Sequence, residues 1–274
     1  MYKLRMIALD LDGTLLRDDK TISQPTRKLL AELHQADVEI AFVTGRMYHF
    51  TAPIQDLLGF PVHYICTDGA FFQPRGWEEP HFKTVAPAVT QAVLSALADE
   101  RHGLYLFSND RIHCFTEAPD PAIFSWGFDL HTDPARAGDP PVNQVEQIVI
   151  HEEKARVRGI QKALNMMHPG LYQEIQPSMK RGNEYLIIRP HGVDKGSALT
   201  RLAEVLGVKT TETIAFGDWL NDLPLFRDAG LSIAPANAVP EVKAKATIVS
   251  CFTNEQDFIV RELERLFQEG KMVV

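Results

Sequence analysis

Apolar residues along the chain gather into short unbroken runs, each ending in a polar, Gly-bearing loop. The first run, Met6-Ile7-Ala8-Leu9, stops at Asp10-Leu11-Asp12-Gly13-Thr14. A brief apolar run bounded by turn residues reads as a strand buried on both faces, as in a parallel sheet. Val38–Val43, Val62–Cys66 and Thr213–Phe216 repeat the form, and end at Thr44-Gly45-Arg46, Thr67-Asp68-Gly69-Ala70 and Gly217-Asp218. Between these runs the apolar spacing turns helical. A helix capped by Ser23 runs to about Ala36 with Leu29, Leu30 and Leu33 on one stripe, and a second reaches Leu58 before Gly59 stops it. A third runs from Asp194 to about Leu206, and a last one, about Glu255 to Gln268, carries Phe258, Ile259, Leu263, Leu266 and Phe267. Strand alternating with helix predicts an α/β fold: a parallel sheet with right-handed crossovers.

The rhythm breaks at Gln73-Pro74-Arg75-Gly76-Trp77-Glu78-Glu79-Pro80, a hinge by composition. From there to about Arg189 the expected elements are a helix at Ala88–Ala98 and strands at Leu104–Phe107, Ile112–Phe115 and Val145–Ile150. A helix to about Met167 and strands at Leu171–Ile175 and Glu184–Ile188 follow, with a Pro- and Gly-rich loop at Asp133–Pro141. This middle third reads as an α+β insert, which divides the chain into residues 1–80, 81–189 and 190–274. A length of 274 residues suits two domains, and 45% apolar and 23% charged residues suit an ordinary globular protein.

A net charge of −8 disfavours nucleic acid or an anionic membrane as partner, yet leaves room for a small phosphorylated metabolite bound beside a local cation. Cys66, Cys114 and Cys251 show no CxxC spacing, so neither a disulfide framework nor a zinc site is implied, and small buried core residues are expected. No apolar stretch is long enough to span a bilayer and no apolar leader precedes the first strand, so a cytoplasmic protein, monomer or weak homodimer, is expected.

Ligands of parallel sheets collect at the carboxyl ends of the strands, so the polar clusters converge on one rim. Asp10 and Asp12 repel each other unless a cation sits beside them, and Mg²⁺, a hard cation, suits their oxygens. Thr44-Gly45-Arg46, leading from a strand into a helix, forms an anion cradle. Lys195, near the start of a helix, opposes the helix dipole, a poor place for stability and a useful one for gripping a phosphate. Asp218, Asn221 and Asp222 follow a strand within five positions and can face a cation from a loop and a first helical turn. Each cluster alone has a plainer reading: Asp12-Gly13 as a turn pair, Thr44, Asn221 or Asp222 as helix caps, Lys195 as a solvated surface residue.

Taken in order, the clusters resemble the four motifs of the haloacid dehalogenase (HAD) superfamily, beginning with its DxDGT signature. The wide gap between Arg46 and Lys195 resembles the cap insert of the Cof-type, class IIB branch. The resemblance implies a Rossmann-like core with a mobile α+β cap of type C2B that closes over the substrate. It implies that Asp10 is a nucleophile that forms an aspartyl-phosphate, and Asp12 the general acid and base. Mg²⁺ would be held by Asp10, the backbone carbonyl of Asp12, and Asp218. Thr44, Gly45 and Lys195 would hold phosphoryl oxygens, Arg46 would reach substrate or phosphate, and Asn221 and Asp222 would orient Lys195 and the metal waters. The activity implied is phosphomonoester hydrolysis on a small phosphorylated metabolite, a sugar phosphate first, with cap contacts from Asn183, Lys180 and Arg181. A mutase that keeps water from the intermediate, or a non-catalytic phosphometabolite-binding protein, are the alternatives; a hydrolytic dehalogenase needs neither Asp12 nor a metal. Three departures stand out: Asp68-Gly69-Ala70 where relatives often have Asn-Gly-Ala, Pro235-Ala236-Asn237-Ala238 for Met-Gly-Asn-Ala, and Asp257-Phe258-Ile259 for Asp-Gly-Val. The added carboxylate of Asp68 is expected to disfavour highly charged substrates.

Overall fold

In the computed structural model, residues 2–97, 103–108, 111–115, 142–178 and 180–274 are described. The expected Asp133–Pro141 loop and the last residue of the expected Ala88–Ala98 helix lie outside them. The chain forms two compact units, one of Met1–His81 with Asp194–Val274, the other of Phe82–Val193.

The first unit is built on an eight-stranded sheet. Its order is Ile248–Val249, Leu231–Ala234, Thr213–Phe216, Met6–Leu9, Glu39–Val43, His63–Cys66, Phe71–Gln73, His81–Phe82. The pairs from Ile248–Val249 across to His63–Cys66 are parallel. Alternate residues of each strand enter opposite layers. Ile7, Leu9, Ile40, Phe42, Ile214 and Phe216 pack with Leu30, Leu33 and Leu263 of the helices Gln24–Gln35 and Phe258–Gln268. Met6, Ala8, Ala41, Val43 and Ala215 pack with Leu199, Leu202 and Leu225 of the helices Lys195–Leu206 and Leu223–Asp228. Ser23 caps the first helix by accepting from the Thr26 N–H.

Register decides where the loops emerge. Leu9 pairs with Phe216 on one side and Phe42 on the other, and Val43 pairs with Ile65. The loops after these four strands therefore leave one edge of the sheet at nearly the same height.

Several elements differ from expectation. The proposed hinge at Gln73–Pro80 begins inside a strand, Phe71–Gln73, that runs antiparallel to His63–Cys66. Two-residue strands, Tyr2–Lys3 and Met272–Val273, pair in parallel as a separate small sheet. The last helix starts at Phe258, because Asp257 is left-handed (φ 56°) after the short turn Asn254–Gln256. Cys66 and Cys114 are buried, but Cys251 is exposed, which corrects its expected place in the core.

The second unit carries a five-stranded sheet in the order Tyr172–Pro177, Asn183–Arg189, Val145–Glu153, Leu104–Ser108, Arg111–Cys114. All its pairs are antiparallel. Leu104, Leu106, Ile148, Ile150, Leu186 and Ile188 form a core with Val89 and Val93 of the helix Pro87–Ala96 and Val157 and Leu164 of the helix Lys154–Met167. Among the described residues, no helix is long and apolar enough to cross a membrane.

Candidate active site

Asp10 is the first residue beyond the central strand, fixed by its N–H donating to the Phe216 carbonyl at 3.0 Å. Its carboxylate meets Lys195, whose Nζ donates to Asp10 Oδ1 at 2.7 Å and to Asp222 Oδ1 at 2.6 Å. Lys195 is fully buried. A capping box sets the helix that carries it: Asp194 Oδ1 accepts from the Ser197 N–H, and Ser197 Oγ accepts from the Asp194 N–H. Burial works against the Lys195 charge, but Asp10, Asp222 and Asp68 outweigh it and raise the affinity of the amine for its proton. The helix dipole is thus opposed by carboxylates that arrive from other loops.

Asp222 is fully engaged. Its Oδ2 accepts from the N–H groups of Asp218 and Trp219 at 2.9 and 3.0 Å, which closes the loop after Thr213–Phe216. Asp10, Asp218 and Asp222 bring carboxylate oxygens within 4.8 Å of one another. Burial first, then the charge of Asp222, pushes the Asp10 carboxyl up to about 7, even with Lys195 pulling it down. Asp218 is raised too, by burial and by the charges of Asp10 and Asp222. A buried acid and a half-buried one that hinder each other's ionisation form a site short of positive charge. With both Asp222 oxygens taken, the groups turned toward an added cation are Asp10 and Asp218. Their oxygen donors fit a hard divalent ion such as Mg²⁺. Gly13 completes the cradle: at φ +76°, a Cβ there would stand 2.4 Å from Asp218 Oδ2. Thr14 Oγ1 donates to Asp218 Oδ1 at 3.3 Å.

The Asp12 carboxylate turns elsewhere. Arg46 grips it with two bonds of 2.6 Å, Nε to Oδ2 and Nη2 to Oδ1, and Lys20 Nζ adds a third at 2.7 Å. Burial opposes ionisation, but Arg46 and Lys20 hold this carboxyl below the usual range. Arg46, expected to reach substrate or phosphate, is here bound to Asp12.

The second and third loops are laced together. The Thr67 N–H donates to the Arg46 carbonyl at 2.8 Å and the Asp68 N–H to the Thr44 carbonyl at 3.0 Å. Thr44 Oγ1 accepts from the Arg46 N–H at 3.1 Å, which leaves the hydroxyl proton for another acceptor. Asn221 Nδ2 donates to Asp68 Oδ1 at 2.8 Å, so its contact is with Asp68, while Asp222 is the residue that holds Lys195. A Cβ on Gly45 would lie 3.3 Å from Asp68 Oδ1 and 3.5 Å from Asn221 Nδ2, so the cradle is narrow. Thr67 and Asp68 both have positive φ, 48° and 52°, a conformation that non-Gly residues adopt at a cost.

In the second unit, Lys180 and Arg181 are exposed in the turn between paired strands, and Asn183, half-buried, opens the second of them. Lys20, Asn237 and Asn254 also reach these loops and carry no local signal in the sequence. Lys20 lies in a polar turn with no strand before it, and Asn237 in the altered stretch Pro235-Ala236-Asn237-Ala238.

A family model of haloacid dehalogenase-like hydrolases matches residues 7–263. The chain is similar to 5-amino-6-(5-phospho-D-ribitylamino)uracil phosphatase YitU of Bacillus subtilis strain 168, 28% identical over 96% of this chain and 97% of the relative. It is similar to pyridoxal phosphate phosphatase YbhA of Escherichia coli K12, 28% identical over 89% and 92%. A solved structure described as a HAD subclass IIB sugar phosphatase shares the fold, with a TM-score of 0.75 at 19% identity over 96% of this chain and 99% of that one.

Proposed function

Because the chain belongs to the haloacid dehalogenase-like hydrolase family, we propose that it is a Mg²⁺-dependent phosphomonoesterase that works through an aspartyl-phosphate. The observation that carries this reading is the constellation at the strand ends: buried Asp10 bonded to buried Lys195, with half-buried Asp218 beside them. Asp10 is the nucleophile. Its free oxygen attacks phosphorus in line with the departing alkoxide, and Lys195 keeps the carboxylate aimed and meets a phosphoryl oxygen as charge builds. Thr44 Oγ and the backbone N–H of Gly45 hold further phosphoryl oxygens. Asp12 gives the leaving oxygen a proton, then takes one from the water that hydrolyses the acyl phosphate. For that, Asp12 must first leave Arg46 and Lys20, whose charges hold its carboxyl ionised, and take up from solvent the proton that it then gives. Asn221 and Asp68 brace the narrow side of the cradle.

Asp10, Asp218 and the backbone carbonyl of Asp12 would hold Mg²⁺, which when bound supplies positive charge against carboxylate–phosphate repulsion. Asp222 supports the site through Lys195 and the 218–219 backbone. The substrate is a small phosphorylated metabolite, a sugar phosphate first. The names of the two relatives, a phosphoribitylamino-uracil and a pyridoxal phosphate phosphatase, support a shared phosphomonoester with a variable organic part. The choice of that part is assigned to the second unit, Phe82–Val193, through Lys180, Arg181 and Asn183.

Phosphate release from a panel of phosphorylated metabolites, with Mg²⁺ and with chelator, tests the reading. Release that stops with chelator and in Asp10→Asn is expected. Substantial turnover by Asp10→Asn would sink the nucleophile assignment.

A further inference from the structure

The stretch 235–239 joins the two loops that the proposed metal site needs. Its Asn237 Nδ2 donates to the Gly13 carbonyl at 2.8 Å, and two residues on the Val239 N–H donates to the Asp218 carbonyl at 3.0 Å. The amide of Asn237 has no slack. Its Oδ1 accepts from the Asn254 N–H at 3.0 Å, so only one orientation of the group satisfies both neighbours. Asn254 extends the tie, its Nδ2 donating to the Leu16 carbonyl at 3.1 Å and to Asp18 Oδ1 at 3.3 Å. The anchor behind them is firm: Ala236 N–H donates to the Phe252 carbonyl and Ser250 N–H to the Ala234 carbonyl, both at 2.8 Å.

We propose that Asn237 is a positioning residue for the divalent-cation site, fixing the Gly13 peptide so that the Asp12 carbonyl and the Asp218 carboxylate keep one separation. This inference rests on the metal reading above. Glycine at positive φ is the least restrained residue of the loop, and a peptide that starts there needs an outside tie to hold one plane. Gly13 is also the point of closest approach, where the space for a Cβ is already filled by Asp218 Oδ2 at 2.4 Å. A swing of the Gly13 carbonyl would drag the adjoining Asp12 carbonyl on one side and Thr14, the hydrogen-bond partner of Asp218, on the other. Asn237 is itself exposed, so its bonds compete with water and add little to folding. Their consequence falls on the geometry of the cation site, as with other groups that orient metal ligands from one step away.

The test measures the melting temperature of the purified chain across a Mg²⁺ series, for the wild type, Asn237→Ala and Asn237→Ser. Stabilisation by a bound ion follows its concentration over its dissociation constant, so the series reads affinity without turnover. The metal-free melting temperature of each variant reports its folding. We expect the variants to melt close to wild type without metal and to need about tenfold more Mg²⁺ for half their stabilisation. The Mg²⁺ constant for phosphate release should move in step, with KM for substrate at saturating metal unchanged. A Mg²⁺ requirement within about twofold of wild type would overturn the role of Asn237. A wild type that gains no stability from Mg²⁺ would overturn the metal reading, and this inference with it.

Discussion

Gly13→Ala asks how much the tight approach between the first and fourth loops matters. The added Cβ would lie 2.4 Å from Asp218 Oδ2, whereas ordinary contact begins at 3.4 Å, so loop or carboxylate must retreat by 1.0 Å. A displacement of that size at reacting groups costs about 100-fold in rate, or about 2.7 kcal/mol of transition-state stabilisation. The cost in folding is smaller. Holding Ala at positive φ costs about 1–2 kcal/mol, and a less flexible unfolded chain returns about 0.4–1 kcal/mol. A net loss of about 1 kcal/mol lowers the melting temperature by about 2–4 °C for a chain of this size. Activity and stability therefore separate. Initial rates of phosphate release at saturating Mg²⁺, taken well below the melting range, should fall about 100-fold while circular-dichroism melts shift by a few degrees. A variant that keeps its rate within about threefold of wild type would refute the claim that Gly13 sets the seat of Asp218.

Two further outcomes follow from the buried charges. Lys195→Met leaves Asp10 and Asp222 without their shared cation and should cost about 3–5 kcal/mol in metal-free urea unfolding. The measurement belongs at pH 8, above the value of about 7 to which Asp10 is pushed by burial and Asp222; a loss below about 1 kcal/mol would refute it. His63 supplies a pH effect away from the site. Its Nδ1 accepts from the Arg75 N–H at 3.0 Å and its Nε2 faces Glu39 at 2.9 Å, an arrangement for the neutral ring. Burial lowers its pKa despite the pull of Glu39. The unfolded chain then binds the proton more tightly, so this stability is whole above about pH 6.5 and drains away as pH falls through the lowered value. Wild type should lose more stability than His63→Gln between pH 7 and 5, and equal slopes would refute the assignment.

The sequence announced the strand ends because their chemistry is local: an apolar run, then Asp, Thr or Gly. Ser23 was legible as a cap for the same reason. Lys195 was harder. Its place at a helix start points to a phosphate grip, but the two carboxylates that bury it lie 185 and 27 residues away. Likewise nothing near Arg46 announces Asp12, and nothing near Asn237 announces Gly13, since those bonds span 34 and 224 residues. Tyr2–Lys3 and Met272–Val273 are too short for any period to register. Phe71–Gln73 was hidden by the Pro and Gly that follow it.

The strand order has a bearing on how the chain is made. Met6–Leu9 is fully buried and needs Thr213–Phe216 as a neighbour on one side. At ribosomal speeds of about 5–20 residues per second, that partner emerges about 10–40 s after the first strand. For that interval the nascent N-terminal half holds an open, apolar strand edge, the kind of surface that holdase chaperones recognise and that aggregates in their absence. Asp10 is among the first residues synthesised, yet its partners Lys195 and Phe216 come late in the chain, so slower elongation through the inserted unit would lower the yield of folded protein even with the sequence unchanged.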